Sequence, residues 1–165
     1  MEAVVGDVRS ILFSKAHEKN LEFRIHLSPD IAKAHLGDPG RLRQILINLL
    51  GNSIKFTEKG YVSLDIDRVA QAPNYQTLKF TVVDTGIGMS EEFMHRLFDK
   101  FTQEEGATNR RFEGTGLGMS ISKELVQLMG GEIQVTSTKG EGTKICNDGG
   151  VNHRAFLENQ ALRGQ

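Results

Sequence analysis

The residues best suited to chemistry lie at Asp84–Met89, where an alternating segment ends in an acidic residue and a glycine turn. The segment before it, Leu78–Val82, alternates apolar and polar residues, and this strand period carries Asp84 onto the buried face. A buried carboxylate is costly unless something pairs with it. Gly86 and Gly88 let the backbone turn sharply and let a ligand approach closely. An Asp that only caps the next helix is the alternative, and two further stretches argue against it.

A polar stripe marks the segment from 42 to 56, which is apolar around most of its circumference and is predicted to be a largely buried helix. The polar stripe consists of Gln44, Asn48, Asn52 and Lys55, spaced by four, four and three residues. On a buried helix these groups must satisfy one another or a polar ligand, and the helix alone favours neither. A phosphate chain with a divalent cation would use amide oxygens for the metal and the ammonium for phosphate.

The third stretch is Gly114–Gly118, directly before a helix predicted over 119–129. Glycines at a helix N-terminus expose backbone N–H groups, and the helix dipole favours an anion there. The spacing matches neither the P-loop nor the dinucleotide fingerprint. The preceding segment, 99–113, is polar and carries both charge signs, and so long a loop in a compact domain is usually functional or disordered.

Length and composition indicate one globular domain outside the secretory route. A chain of 165 residues is long enough for a real core, and its net charge of -1 gives no argument for nucleic acid or an anionic membrane. The one cysteine, Cys146, excludes an internal disulfide. The chain shows neither a membrane-length apolar run nor a basic start followed by an apolar stretch, so we expect a cytoplasmic segment without membrane contact.

The elements that must position these residues alternate between helices and strands. In chain order the patterns predict helix 3–18, strand 21–27, a helix capped by Asp38 and ended by Lys59-Gly60, strands 61–67 and 78–84 joined by a hairpin loop over 70–77, a short helix from 90 to about 98, helix 119–129, and short strands at 133–135 and 144–146.

Together these stretches resemble the nucleotide-binding domain of sensor histidine kinases, in the GHKL superfamily shared with gyrase and the mismatch-repair ATPases. Asn48–Thr57 is similar to the family's N box, Asp84–Met89 to its G1 box, Phe98–Phe101 to its F box and Gly114–Gly118 to its G2 box. The resemblance runs from about residue 4 to 145, and the residues around the G2 box are most like those of hybrid kinases. It implies an α/β fold: a two-layer sandwich of mixed sheet and helices with an ATP lid, the Bergerat fold.

The resemblance also implies roles for single residues. Asp84 would accept the adenine amino group, with Thr143 assisting through water, while Asn52 would bind Mg²⁺ and Lys55 would neutralise phosphate. Residues 99–113 would form the lid, in which either Arg110 or Arg111 contacts the terminal phosphate or stays solvated. The full set of expected ATP-binding residues is Asn48, Asn52, Lys55, Phe56, Asp84, Gly86, Ile87, Gly88, Met89, Phe98, Arg110, Arg111, Gly114, Thr115, Gly116, Leu117, Gly118 and Thr143.

Asn48 separates the possible activities. Hydrolytic relatives carry a water-activating Glu at this position, and an amide cannot act as a general base. We therefore expect an enzyme module that transfers the γ-phosphoryl of Mg-ATP to a histidine on a separate dimerisation domain, and so indirectly to a response-regulator receiver domain. The alternatives are an ATP-sensing regulatory module without phosphotransfer and a hydrolytic GHKL-type ATPase.

Two departures from the family pattern limit the assignment. His17 has the acidic neighbour Glu18 expected of a phosphoacceptor but lacks the following proline, so the acceptor domain is expected to lie outside this chain and the chain to be an excised catalytic module. Asn147–Gly150 interrupts the last strand pattern. We therefore predict a catalytic domain over 1–146 and a tail over 147–165 without an assigned role.

Overall fold

In the part of the chain that the structure describes, four helices and five strands follow the predicted order. The computed structural model describes residues 1–31, 38–72, 75–97, 118–128 and 130–148. The elements in these ranges are helices α1 (Glu2–Glu18), α2 (Pro39–Lys55), α3 (Glu91–Arg96) and α4 (Gly118–Leu128), and strands β1 (Glu22–Leu27), β2 (Tyr61–Ala72), β3 (Tyr75–Asp84), β4 (Glu132–Thr138) and β5 (Gly142–Asp148).

The strands form one mixed sheet in the order β1-β2-β3-β5-β4. The β1–β2 pair is parallel, and the other three pairs are antiparallel. Alternating apolar residues give the sheet one buried face, and α1, α2 and α4 supply the helical layer that packs with it. The predicted two-layer α/β sandwich is confirmed.

One row of this buried face changes from apolar to polar along its length. Paired positions run from Phe23 on β1 through Val62 on β2 to Asp84 on β3, Thr143 on β5 and Ser137 on β4. Side chains directly opposite one another on neighbouring strands lie within contact range. The row lies where β3 ends, so the fold gathers three polar side chains beside the Gly86–Met89 turn.

Helix α1 and the residue after it contact α2 near both of its ends. Val8 and Leu12 of α1 are fully buried. The Asp7 carboxylate forms an ion pair with the guanidinium of Arg43 in α2 at 2.9 Å. Lys19, just after α1, donates from its ammonium to the carbonyl oxygens of Ile54 at 2.7 Å and Lys55 at 3.0 Å. The Lys19 contacts fix the carboxyl end of α2, which carries Asn52 and Lys55 of the polar stripe.

Three predicted boundaries are wrong. The 70–77 segment is largely strand, because the β2–β3 ladder continues through polar pairs to Ala72 and Tyr75. Helix α2 ends at Lys55, where Phe56 donates back to the Asn52 carbonyl, and not near residue 59. Strand β5 runs on to Asp148, since Phe80 pairs with Asn147 and Glu132 with Asp148. The apolar alternation marks only the buried part of each strand, whereas backbone pairing extends beyond it.

No helix among the described residues combines the length and apolar character needed to cross a membrane.

Candidate functional site

Asp84 lies at the end of β3 with 8% of its surface exposed, as the alternation predicted. Its carboxylate accepts the Gly86 backbone N–H at 2.9 Å, and the Ser53 hydroxyl and the Thr143 backbone N–H act as further donors. Burial raises the pKa of Asp84 above its ordinary 3.8, and these three hydrogen bonds oppose that shift only in part.

The three donors leave the carboxylate incompletely satisfied. An ionised carboxylate offers about four acceptor positions, so three protein donors leave about one for a ligand. A buried charge with spare acceptor capacity favours a ligand that brings an N–H donor. The arrangement favours ligand binding over a simple helix cap, and the cap of the next helix, α3, is Ser90.

Gly86 is required because the end of α2 approaches the turn very closely. A Cβ at this position would lie 2.5 Å from the Phe56 carbonyl oxygen and 2.8 Å from Thr57 Oγ1. That carbonyl also accepts the Ile87 N–H at 3.1 Å. The α2 terminus and the glycine turn are therefore joined directly through their backbones.

Gly88 meets the β4–β5 turn on the other side. Its φ of 67° is in the left-handed region, and a Cβ there would lie 2.1 Å from the Thr138 carbonyl oxygen. The Gly140 N–H donates to the Ile87 carbonyl at 2.7 Å, and the Met89 N–H donates to Ser137 Oγ at 2.8 Å. Backbone contacts thus hold the Gly86–Met89 turn between two elements.

The polar stripe lies partly open, away from the buried side of α2. Gln44 is exposed, whereas Asn48, Asn52 and Lys55 are half-buried. Among the described residues, no hydrogen bond joins the Asn48 and Asn52 side chains. Of the two interpretations of the stripe, the accessible positions favour a polar ligand over mutual satisfaction.

The side chains at this site suit Mg²⁺ better than a metal ion whose ligands all come from the protein. Asn52 supplies a hard amide oxygen, and the described residues contain no group of three or more His, Cys, Asp or Glu side chains suited to a metal. Mg²⁺ commonly takes one or two protein ligands and completes its shell with phosphate oxygens and water.

The remaining predicted site residues are placed only in part. Thr143 lies directly opposite Asp84, and Gly118 is the first residue of α4. Phe98, Arg110, Arg111 and Gly114–Leu117 lie outside the described residues, as does the whole predicted lid.

Three site residues escaped the sequence analysis. Ser53 donates to Asp84, Thr57 donates to the Ser53 carbonyl at 2.6 Å beside Gly86, and Ser137 holds Met89. Ser53 and Thr57 are almost fully buried. The apolar residues near them in the sequence could have indicated this burial. For Ser137, the sequence offered one sign, which is its place among the inward-facing residues of β4.

Comparison with known proteins agrees with this geometry. Residues 37–147 match the family model described as histidine kinase-, DNA gyrase B-, and HSP90-like ATPase. The sensor histidine kinase AruS of Pseudomonas aeruginosa is 41% identical over 143 residues, which is 87% of this chain and 14% of AruS. The sensor protein GacS of Pseudomonas syringae is 44% identical over 142 residues, which is 86% of this chain and 16% of GacS. The chain thus spans a small part of these relatives.

Solved structures give the same result. Full-length ShkA in complex with AMPPNP superimposes with a TM-score of 0.76 at 33% identity, over 93% of this chain and 30% of that protein. The nucleotide-free catalytic domain of histidine kinase ThkA shares the fold, with a TM-score of 0.71 over 92% of this chain and 93% of ThkA's domain at 22% identity. The family match covers well over half of the sequence, and the chain belongs to the histidine kinase-, DNA gyrase B- and HSP90-like ATPase family.

Proposed function

We propose that this chain is the ATP-binding catalytic module of a two-component sensor histidine kinase. In this proposal it transfers the γ-phosphoryl of Mg-ATP to a histidine on the dimerisation domain of its parent kinase, in the cytoplasm. The observation that carries the proposal is the buried Asp84 carboxylate, which keeps about one acceptor position beside a glycine turn.

Asp84 recognises the base in this proposal. A 6-aminopurine brings an N–H donor to the remaining carboxylate position, whereas a 6-ketopurine would bring an oxygen against a negative charge. Thr143, directly opposite Asp84 on β5, lies where its hydroxyl can share a water with the base.

The polar stripe handles the phosphates. Asn52 would hold Mg²⁺ through its amide oxygen, Lys55 would neutralise phosphate charge, and the lid with Arg110, Arg111 and Gly114–Gly118 would cover the triphosphate. When bound, Mg²⁺ supplies charge neutralisation at the phosphate oxygens. The Lys19 ammonium donates to the Ile54 and Lys55 carbonyl oxygens at this end of α2. It thereby steadies the Asn52 and Lys55 side chains.

The absence of a carboxylate at Asn48 favours transfer over hydrolysis. An amide cannot take a proton from water, and phosphoryl transfer depends mainly on positioning and charge stabilisation. The acceptor histidine would come from the dimerisation domain and would pass phosphate to a receiver domain. We assign residues 1–148, to the end of β5, to this module and no role to 149–165.

Radiolabelled ATP tests the proposal. The purified chain alone should bind ATP without labelling itself or releasing phosphate appreciably. Mixed with the dimerisation domain of its own parent kinase, it should label that domain's histidine slowly, because a tether that commonly supplies an effective mM concentration is missing.

Each alternative gives a different result. Tight ATP binding with no label on any added dimerisation domain would indicate an ATP-sensing module. Brisk phosphate release without an acceptor would indicate a hydrolytic ATPase, and label on His17 would contradict the excised module.

A further inference from the structure

Ser137 is the meeting point of three contacts beside the Asp84 carboxylate. Its Oγ lies 2.8 Å from the Met89 backbone nitrogen, 2.8 Å from the Gly142 carbonyl oxygen and 2.8 Å from Thr143 Oγ1. The side chain is half-buried and points to the same sheet face as Asp84 and Thr143. Neither the family comparison nor the sequence pattern assigns it a role.

The direction of these hydrogen bonds follows from counting hydrogens. A serine hydroxyl has one hydrogen to donate and two lone pairs that accept. The Met89 N–H can only donate, so it occupies one lone pair, and the Gly142 carbonyl can only accept, so it takes the hydrogen. Thr143 must then donate to the second lone pair of Ser137. This is the one assignment in which all three short contacts are hydrogen bonds.

Thr143 is left as an acceptor toward the site. Its single hydroxyl hydrogen is directed at Ser137, so only its lone pairs remain for a ligand or a water. Asp84, directly opposite, is acceptor-only when ionised. The two side chains therefore present acceptors alone to a ligand that lies over this end of β3 and β5.

We infer that Ser137 is a positioning residue that sets nucleobase specificity by fixing Thr143 as a hydrogen-bond acceptor. It also anchors the Gly86–Met89 turn through the Met89 N–H. This inference rests on the proposed binding of ATP. A shared water would donate one hydrogen to Thr143 and the other to an unprotonated ring nitrogen of a 6-aminopurine, whereas a keto oxygen at the base edge finds no donor on the Asp84 and Thr143 side chains.

The experiment compares the affinities of ATP and of inosine triphosphate, whose base carries a keto group at position 6. In Ser137→Ala the Thr143 hydroxyl is free to turn and donate to the keto base. The ratio of the inosine triphosphate Kd to the ATP Kd should fall about fivefold, the worth of one ordinary hydrogen bond. Ser137→Thr keeps the hydroxyl and should keep the wild-type ratio.

Two controls separate this effect from general damage. Thr136→Ala removes a hydroxyl from the adjacent, exposed position of β4 and should leave the ratio unchanged. In a Thr143→Val background, Ser137→Ala should no longer change the ratio, because the group that it acts through is missing. Equal loss of both affinities in Ser137→Ala, with the ratio unchanged, would overturn the inference.

A measurement without nucleotide tests the anchoring. The Met89 amide hydrogen should exchange with solvent faster in Ser137→Ala than in the wild type, and Ser137→Thr should restore its protection. Unchanged exchange in folded Ser137→Ala would contradict the anchor. A wild-type chain that binds neither nucleotide would instead contradict the proposed function, while the exchange experiment would still decide the anchoring.

Discussion

Gly86 and the Phe56 carbonyl oxygen are so close that a methyl group on Gly86 would lie 2.5 Å from that oxygen. This contact joins the end of α2, which carries Asn52 and Lys55, to the turn that follows Asp84. The groups proposed for phosphate and for the base are thus fixed relative to each other by backbone contact.

Gly86→Ala should therefore damage binding and stability together. The added methyl meets a backbone oxygen that cannot rotate away, so we expect a loss of about 1 to 3 kcal/mol in the free energy of unfolding. ATP affinity, measured by calorimetry, should fall at least tenfold. Gly6→Ala is the control, because no atom lies within 4 Å of that position in α1 and the change should stabilise by roughly 0.5 to 1 kcal/mol. A Gly86→Ala variant as stable as the wild type would show that the backbone shifts to make room for the methyl group.

Asp84→Asn should weaken adenine nucleotide binding. The substitution keeps the shape but replaces a charged acceptor by a neutral one, and hydrogen bonds to charged groups are worth roughly 1.5 to 3 kcal/mol. Calorimetric titration with ATP checks this. Unchanged ATP affinity in a folded variant would refute the role of Asp84 in recognising the base.

The stability of the apo protein should depend on pH through Asp84. Burial raises its pKa in the folded state above 3.8, so the folded state holds the proton more tightly than the unfolded state. The contribution of Asp84 to stability is therefore greatest below pH 3.8 and is lost as pH rises through the raised pKa. Urea unfolding across that window should show this slope in the wild type and not in Asp84→Asn.

The comparison of the two proteins is needed because other carboxyls act in the opposite direction. Hydrogen bonds from Arg24 to Glu22 and from Ser28 to Asp30 lower the pKa of each carboxyl. Their contributions are present above the unfolded pKa and are lost as pH falls, in both proteins alike. A wild type and an Asp84→Asn variant with parallel pH profiles would show that the carboxyl is not shifted.

Asn52→Ala should distinguish binding of the metal from binding of the base. If the Asn52 amide binds Mg²⁺, its loss should abolish the Mg²⁺ dependence of ATP affinity and leave adenosine affinity nearly intact. Titrations of ATP with and without Mg²⁺, and of adenosine, provide the measurement. Equal losses for ATP and adenosine would indicate that the amide supports the helix instead.

The sequence predicts the site best where a regular spacing of buried residues fixes the direction in which a side chain faces. The two-residue period leading to Asp84 requires its inward position, and the four-residue spacing of Asn48 and Asn52 requires a shared face of α2. Ser53 and Ser137 were missed because a small polar side chain fits both a core and a surface, so its role depends on a partner distant in sequence.

Pairing between strands was harder to predict than the strands themselves. The ladder pairs Gln71 with Gln76 and Ala72 with Tyr75, although these residues show no apolar alternation. Backbone hydrogen bonds hold this end of the hairpin, and they leave no mark on the side-chain pattern.

The last prediction concerns Lys19, whose ammonium donates to the Ile54 and Lys55 carbonyl oxygens at 2.7 and 3.0 Å. These carbonyls belong to the last turn of α2, where the helix dipole favours a cation, so Lys19→Met should cost about 1 to 3 kcal/mol of the free energy of unfolding. Lys15→Met is the matched control, since Lys15 is exposed in the last turn of α1 and its loss should change stability by no more than about 0.5 kcal/mol. Urea unfolding of the three proteins provides the values. Equal, small changes in both variants would show that water replaces the Lys19 ammonium at the end of α2 without cost.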